Sequence, residues 1–358
     1  MDELVTRIKC LEMELTTCKF YTIQLDVYNV GIAVNTDNKW LIHQIKMDFS
    51  KFVKNIKECD ITIYILSGKP PFNIDLKNLS SKKFAESVIS YSLNGMIILH
   101  YIKRAFVIYD FHNGIVIIYV TSEKNRDYYE MAYLYIESCI GELLEHKRIF
   151  RIHAASLLKN GEGILLLGGI RSGKSVTSIM LSRLGAKILS EDISLLTKDL
   201  QILPYPTRAG LDKKSLCILG KRVKTQKIKY SSGITKYLVG LEEIGLPIYD
   251  KECKLSKILI LNPTKLNFCS VHRASTKQIL SALIKALVVG LGIPQLREIV
   301  FTRAMIEPQN FFLKGTKRLL LASKLMLKIE WYTVYMAKKV NETIVAINNF
   351  LEKSSYHP

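Results

Sequence analysis

A chain of 358 residues, 48% hydrophobic and 23% charged, is long enough for two domains with ordinary cores and has the composition of a soluble globular protein. Its formal charge of +19 favours an anionic partner, whether nucleotide, acidic peptide, nucleic acid or membrane surface, although a compositional bias toward lysine explains it equally well. Seven scattered cysteines with no C-x-x-C spacing argue against a zinc ribbon or a disulfide framework.

Those cysteines fit a reducing, cytoplasmic setting. The first residues lack a signal-peptide pattern, and the most apolar stretch, 279–293, contains Lys285 and is too short to cross a bilayer. No membrane partner is therefore expected.

Residues 1–19 read as a short helical lead-in. Alternation of Tyr21, Ile23, Leu25 and Val27 predicts a strand over 20–34. Phe49, Phe52, Val53 and Ile56 keep helical spacing, and 60–66 alternates again before a Gly68-Lys69-Pro70-Pro71 loop. Strands are expected over 96–101, 105–111 and 115–120, the last two joined at Asn113-Gly114. A helix over 129–146 closes an N-terminal α+β domain, 1–147. His43, His100, His112 and His146 are isolated there and read as packed or surface residues.

A second domain, 148–300, is organised around Gly168-Gly169-Ile170-Arg171-Ser172-Gly173-Lys174-Ser175, which fits the phosphate-loop pattern G-x-x-x-x-G-K-[ST]. The context agrees. The apolar run Ile164–Leu167 reads as a buried strand; Val176, Ile179, Met180 and Leu184 follow at helical spacing, with Gly185 at the C-cap. Glycines let backbone N–H groups face phosphate oxygens, and the helix N-terminus favours an anion. Residues 168–176 are thus the candidate nucleotide-binding segment. Lys174 would bridge the β- and γ-phosphates, and the Ser175 hydroxyl would hold Mg²⁺.

Lys187–Ser190 predicts another strand, ending in Glu191-Asp192. Paired carboxylates at a strand end suit phosphoryl transfer: one holds Mg²⁺, the other takes the proton of an attacking hydroxyl. Upstream, 151–158 and the turn 159–163 form a hairpin signal with His153 near its start.

Further on, 193–197 and 200–203 flank Lys198-Asp199 as a hairpin, and Pro204 and Pro206 stiffen the approach to Arg208, read either as a phosphate contact or as a surface residue. Residues 213–229 carry seven Lys/Arg (Lys213, Lys214, Lys221, Arg222, Lys224, Lys227, Lys229) and no acid, which predicts a mobile basic ribbon. Leu255–Asn262 reads as a buried strand, and Ser275 as the cap of a helix reaching toward Val289. After Gly315 neither Gly nor Pro recurs before Pro358, so 301–358 is expected to be a helical extension that covers the core or makes a dimer contact.

The order His153-Ala154-Ala155-Ser156-Leu157, Asn160-Gly161-Glu162-Gly163, Gly173-Lys174-Ser175 and Leu189-Ser190-Glu191-Asp192 resembles the HPr kinase/phosphorylase superfamily, especially its smaller serine kinases. That superfamily is fold-related to ATP-dependent phosphoenolpyruvate carboxykinase. The resemblance is firm over 151–200, extends more loosely over 1–150 and 201–300, and is absent from the last sixty residues. It implies a mixed, largely antiparallel β-structure around the P-loop, within an α/β (α+β) chain. By position, His153 matches the family's active-site histidine, and Glu191-Asp192 its Asp-Asp pair with the first residue changed. Leu241–Ile248 only faintly matches the family's Glu-rich signature, which argues against HPr as substrate and puts phosphorylase activity in doubt.

Together these features predict an ATP- and Mg²⁺-dependent serine kinase. Glu191, Asp192, His153 and Lys174 are its catalytic candidates, and Ser175 with Asp192 the metal candidates. The roles of the two acids are interchangeable at this stage. The resemblance leaves the acceptor open among a protein, a ribosomally made precursor peptide such as that of a phosphorylated lasso peptide, and free serine. An acidic peptide or protein suits the basic ribbon best. The rival classes are a nucleotide-gated binding module with little catalysis and, less favoured, a nucleic-acid-binding protein.

Overall fold

The structure, a computed structural model, describes residues 2–71, 79–85, 87–169, 172–218, 223–306 and 308–354. It is a mixed α/β chain that divides into two compact units. The first comprises Met1–Leu143, Lys229–Ile234 and Pro294–Phe311; the second comprises Leu144–Ile228, Thr235–Ile293 and Phe312–Pro358.

The first unit is built on strands β1 (Tyr21–Val27), β2 (Val30–Thr36), β3 (Ile61–Ser67), β4 (Ser80–Ala85), β5 (Val88–Leu93), β6 (Met96–Tyr101), β7 (Ala105–Asp110) and β8 (Ile115–Val120). Among the described residues they form one sheet in the order β1-β2-β3-β8-β7-β6-β5-β4. The predicted single strand over 20–34 is a hairpin. Tyr28 and Asn29 take positive φ (54° and 64°), and Asn29 donates its N–H to Asp26 Oδ1 at 2.9 Å. A two-residue turn of that hand matches strand twist and needs no glycine when an Asx contact supports it. The helix expected around 49–56 lies earlier, at Lys39–Asp48, started by Asn38 accepting from the Leu41 N–H; only a short 3₁₀ turn covers Ser50–Phe52. Ile8, Leu11 and Leu15 of the helix Asp2–Thr17 share a core with Ile98, Ile108 and Ile117.

The second unit follows with β9 (Ile149–Ile152), β10 (Ala154–Lys159), β11 (Glu162–Leu167), β12 (Lys187–Ser190), β13 (Ser194–Thr197), β14 (Gln201–Leu203), β15 (Ala209–Leu211), β16 (Gln226–Lys229), β17 (Thr235–Val239), β18 (Cys253–Pro263), β19 (Ser270–Arg273) and β20 (Glu330–Met336). Its main sheet runs β12-β10-β11-β18-β14-β13-β9, with β20 beside β18 and β19 beside β20. Only the pairs β11/β18 and β18/β20 are parallel; the other described pairs are antiparallel. A separate sheet orders β15-β17-β16.

The apolar run in β11 is explained by burial on both faces. Ile164 and Leu166 enter one core with Ile179, Leu259 and Val334, while Leu165 and Leu167 enter another with Leu189, Ile258 and Trp331. Each such side chain contributes roughly 1.5–3 kcal/mol by its removal from water. This double anchoring fixes the end of β11, from which the glycine loop departs.

The C-terminal segment is not purely helical. Helix Pro308–Lys328 is followed by β20, whose residues Trp331, Thr333 and Val334 are buried in the sheet, and then by helix Val340–Ser354. Aromatic and β-branched residues cluster over 331–335, and parallel pairing with β18 on one side overrides the helical spacing of the flanks. Lys159 ties the last helix down through Asn348 Oδ1 (2.6 Å) and Glu352 Oε1 (3.0 Å). All seven cysteines are free, and no helix among the described residues is long and apolar enough to cross a membrane.

Candidate active site

Antiparallel β10/β11 and β10/β12 bring the end of β11 and the end of β12 to the same side of the sheet. The loop after β11 leads through Gly168 and Gly169 to Ser172, Gly173 and the helix Lys174–Arg183. Ile170 and Arg171 lie outside the described residues. Gly173 has φ +90° at the N-cap and, being glycine, offers no capping side chain. Gly168 is forced to be glycine in another way, because a Cβ there would overlap the Ser172 hydroxyl.

The helix itself buries Thr177, Ser178, Ile179, Leu181 and Ser182, while Leu184 is exposed and Val176 is half-buried. The predicted apolar face therefore shifts. Small hydroxyl residues line the contact side, and the helix ends as expected, with Gly185 at φ +92°.

Lys174 is buried and donates to the carbonyls of Gly168 (3.1 Å) and Gly169 (3.3 Å). Burial lowers its pKa, against the opposing pull of Asp192 and Glu191. Glu191 is buried as well. Desolvation, reinforced by the charge of Asp192, raises its pKa to about 7, partly offset by a hydrogen bond with Ser175. Among the described residues its Oε1 has no hydrogen-bond partner, nor do the buried hydroxyls of Ser172 and Thr177.

Asp192 stands at the mouth of the pair with its side chain 41% exposed. Burial pushes its pKa up, but the hydrogen bond and charge of His153, with Lys236 and Lys174, hold it below the usual carboxylate range. His153 Nε2 lies 3.2 Å from Asp192 Oδ1, and its Nδ1 lies 2.5 Å from the Leu291 carbonyl oxygen. Both ring nitrogens face acceptors, so both bonds form together only when both nitrogens carry hydrogens.

Behind the acids, Ser194 donates to the Ala154 carbonyl (2.9 Å), Ser190 and Ser194 are 2.7 Å apart, and Ser156 and Ser190 are 2.6 Å apart. This buried chain links β10, β12 and β13 and fixes where β12 delivers Glu191.

The structure thus brings Lys174, Ser175, Glu191, Asp192 and His153 together. Arg208 is not a surface residue: it is buried and donates to Gln226 Oε1 at 2.9 Å. In the basic segment, Lys213–Ile218 is a short helix and Gln226–Lys229 a strand; Lys221 and Arg222 lie outside the described residues.

Three contributors had no signal in the sequence motifs. Leu291 offers a backbone carbonyl, which any residue carries. Gly292 has φ +92° and abuts His153, where a Cβ would overlap Nδ1. Lys236 on β17, remote in sequence, acts on Glu191, Asp192 and Lys174 through its charge.

Among the described residues no three His, Cys, Asp or Glu side chains gather to hold a metal ion. Ser175 and the acid pair are the residues that could hold Mg²⁺, whose protein coordination is usually sparse, and the Glu191 Oε1, unpartnered among the described residues, fits that need. No protein-family model matches this chain, and no curated protein matches it either.

Proposed function

We propose that the chain is an ATP- and Mg²⁺-dependent kinase that transfers the γ-phosphoryl group to a serine hydroxyl of a peptide or protein, on a P-loop core of the HPr-kinase-like type. One observation carries this reading: the glycine loop with its buried Lys174 and the Glu191-Asp192 strand end meet in one site. Phosphoryl transfer needs little more than positioning and neutralisation of charge, and this site offers both.

In the proposed reaction the acceptor oxygen forms a bond to γ-phosphorus, the bond to the β–γ bridging oxygen breaks, and ADP leaves. The acceptor proton passes to a carboxylate. Glu191, with its pKa near 7 and a partnerless oxygen, is suited to receive it. Lys174 leaves the Gly168 and Gly169 carbonyls to meet phosphate oxygens. Asp192, kept ionised by His153, and Ser175 would hold Mg²⁺. When bound, Mg²⁺ neutralises charge on the phosphate oxygens.

A swapped assignment is favoured by the hydrogen bond of Ser175 to Glu191, which would put those two on the metal and leave the half-exposed Asp192, with His153, to accept the proton. Replacing each acid by its amide separates them. The base variant loses turnover at all Mg²⁺ concentrations, whereas the metal-ligand variant recovers as Mg²⁺ rises.

The test is mass spectrometry of acidic serine-containing peptides incubated with Mg·ATP and the protein. A gain of one phosphate on serine, lost in Lys174→Ala, supports the reading. ATP binding without transfer to any peptide, protein or free serine favours the nucleotide-gated module.

A further inference from the structure

Helix Pro308–Lys328 turns one face to the core. Leu321 and Leu325 pack there with Leu165, Ile258 and Trp331, and Arg318 beside them meets Glu145 and donates to the Val288 carbonyl at 3.0 Å. At 3.6 residues per turn, Leu313, Leu319, Leu320 and Leu327 fall together on roughly a third of the circumference, on the side away from those anchors. All four are exposed, from 54% at Leu313 to 83% at Leu327. Single exposed leucines are ordinary, but four along one helix face leave a continuous apolar stripe in water.

The stripe has a basic border. Lys317, Lys324 and Lys328 fall between it and the core face, and the helix carries no acid from Pro308 to Lys328. Lys324 Nζ donates to the Lys198 carbonyl at 3.1 Å, and the Lys198 N–H donates to the Arg148 carbonyl at 3.1 Å. The turn between β13 and β14 thereby brings two more exposed cations, Lys198 and Arg148, to the same border, where Asp199 offsets one of them.

This combination decides between occupants. An anionic bilayer takes leucines into the boundary between headgroups and acyl chains while its charged headgroups meet the lysines. A second copy fits worse. Stripe packed on stripe around a two-fold axis would bring Lys317, Lys324 and Lys328 of the two helices together, with no acid on either helix to pair them. A helix lying in the interface needs no span, and among the described residues no helix is long and apolar enough to make one.

We propose that helix Pro308–Lys328 docks this protein on an anionic membrane surface, with the leucine stripe in the headgroup–acyl boundary and the basic border on the headgroups. The inference uses no residue of the phosphate-loop site and stands apart from the kinase reading.

The test is co-sedimentation of the full chain with vesicles of phosphatidylcholine alone, or of phosphatidylcholine with phosphatidylglycerol, at low and high salt. The proteins are wild type, the pair Leu320→Gln with Leu327→Gln, and the pair Lys324→Gln with Lys328→Gln. Wild type should bind the anionic vesicles about 10-fold or more tighter than the neutral ones, and less tightly at high salt. The leucine pair should weaken that binding about 10-fold or more, because the apolar burial is lost. The lysine pair should weaken it about 5-fold or more and flatten its salt dependence. Thermal melts check the fold of each variant, and the wild-type comparison between the two vesicles stands without any variant. No binding of wild type to anionic vesicles, equal binding to both kinds, or wild-type binding by the folded leucine pair would overturn the proposal. A dimer in analytical ultracentrifugation that the leucine pair disperses would overturn it in favour of a second copy.

Discussion

His153 Nε2 sits 3.2 Å from Asp192 Oδ1 while its Nδ1 sits 2.5 Å from the Leu291 carbonyl, so one imidazole links a strand end to a glycine turn. The link holds the pKa of Asp192 down. A carboxyl lowered in the folded state stabilises the fold above its ordinary pKa, and that contribution is lost as pH falls through the lowered value. His153→Ala should therefore reduce stability at neutral pH, with the difference from wild type fading in acid. In the kinase assay the acid limb of the pH–rate profile should move to higher pH. A profile unchanged in position would show that His153 does not set the ionisation of Asp192.

Glu191 has the opposite sign. Its pKa is raised from 4.5 to about 7, so the folded state holds a proton that the unfolded chain releases over that window. Stability falls as pH rises through the window, and the full cost, up to about 3 kcal/mol, applies above it. Glu191→Gln should melt higher than wild type at pH 8 and nearly level with it at pH 4.5. If Glu191 is the base, the same variant loses about 10²–10⁴-fold in turnover. Equal melting temperatures at pH 8 would contradict the buried, ionising carboxyl.

Gly292 tests the turn that supports His153. Its φ of +92° strains any L side chain, and a Cβ would collide with the imidazole. Gly292→Ala is expected to cost about 1–3 kcal/mol in denaturant unfolding and to displace the ring, giving the pH behaviour of His153→Ala. Wild-type stability and pH profile in this variant would remove the turn from the account.

The buried serine chain makes a further prediction. Ser190→Ala leaves Ser156 and Ser194 without their shared partner. A loss of about 1–3 kcal/mol is expected in chemical denaturation, since the buried Ser156 hydroxyl is left unpaired while Ser194 keeps only the Ala154 carbonyl. No measurable loss would mean that the chain does not hold β12 in place.

What the sequence revealed depended on how local each cause is. The β11 run, the loop glycines and Gly185 were readable because burial on both faces, close approach and positive φ each dictate residue type at one position. The hairpin was readable from the apolar runs that flank the polar pair Lys198-Asp199, and β13 and β14 pair as expected. The strand over 330–336 was not, because Val334 and its flanks satisfy helical spacing and only the neighbouring β18 decides the matter. The helix beyond Ser275 was half readable. Its capping box with Gln278 forms, but it passes into a π-turn at Ile284–Val288, just before the Leu291 carbonyl that meets His153. The influence of Lys236 was invisible, since its charge acts on the acid pair across the fold rather than through its neighbours in sequence.

The central claim is that the loop ending in Lys174 binds a nucleoside triphosphate for transfer. Titration of wild type and Lys174→Ala with Mg·ATP, followed by calorimetry, tests it most directly. Wild type should bind saturably at one site, and the variant should lose about 100-fold or more, because the loop's own cation is gone. Equal affinity in the two proteins, or no binding in wild type, would contradict it.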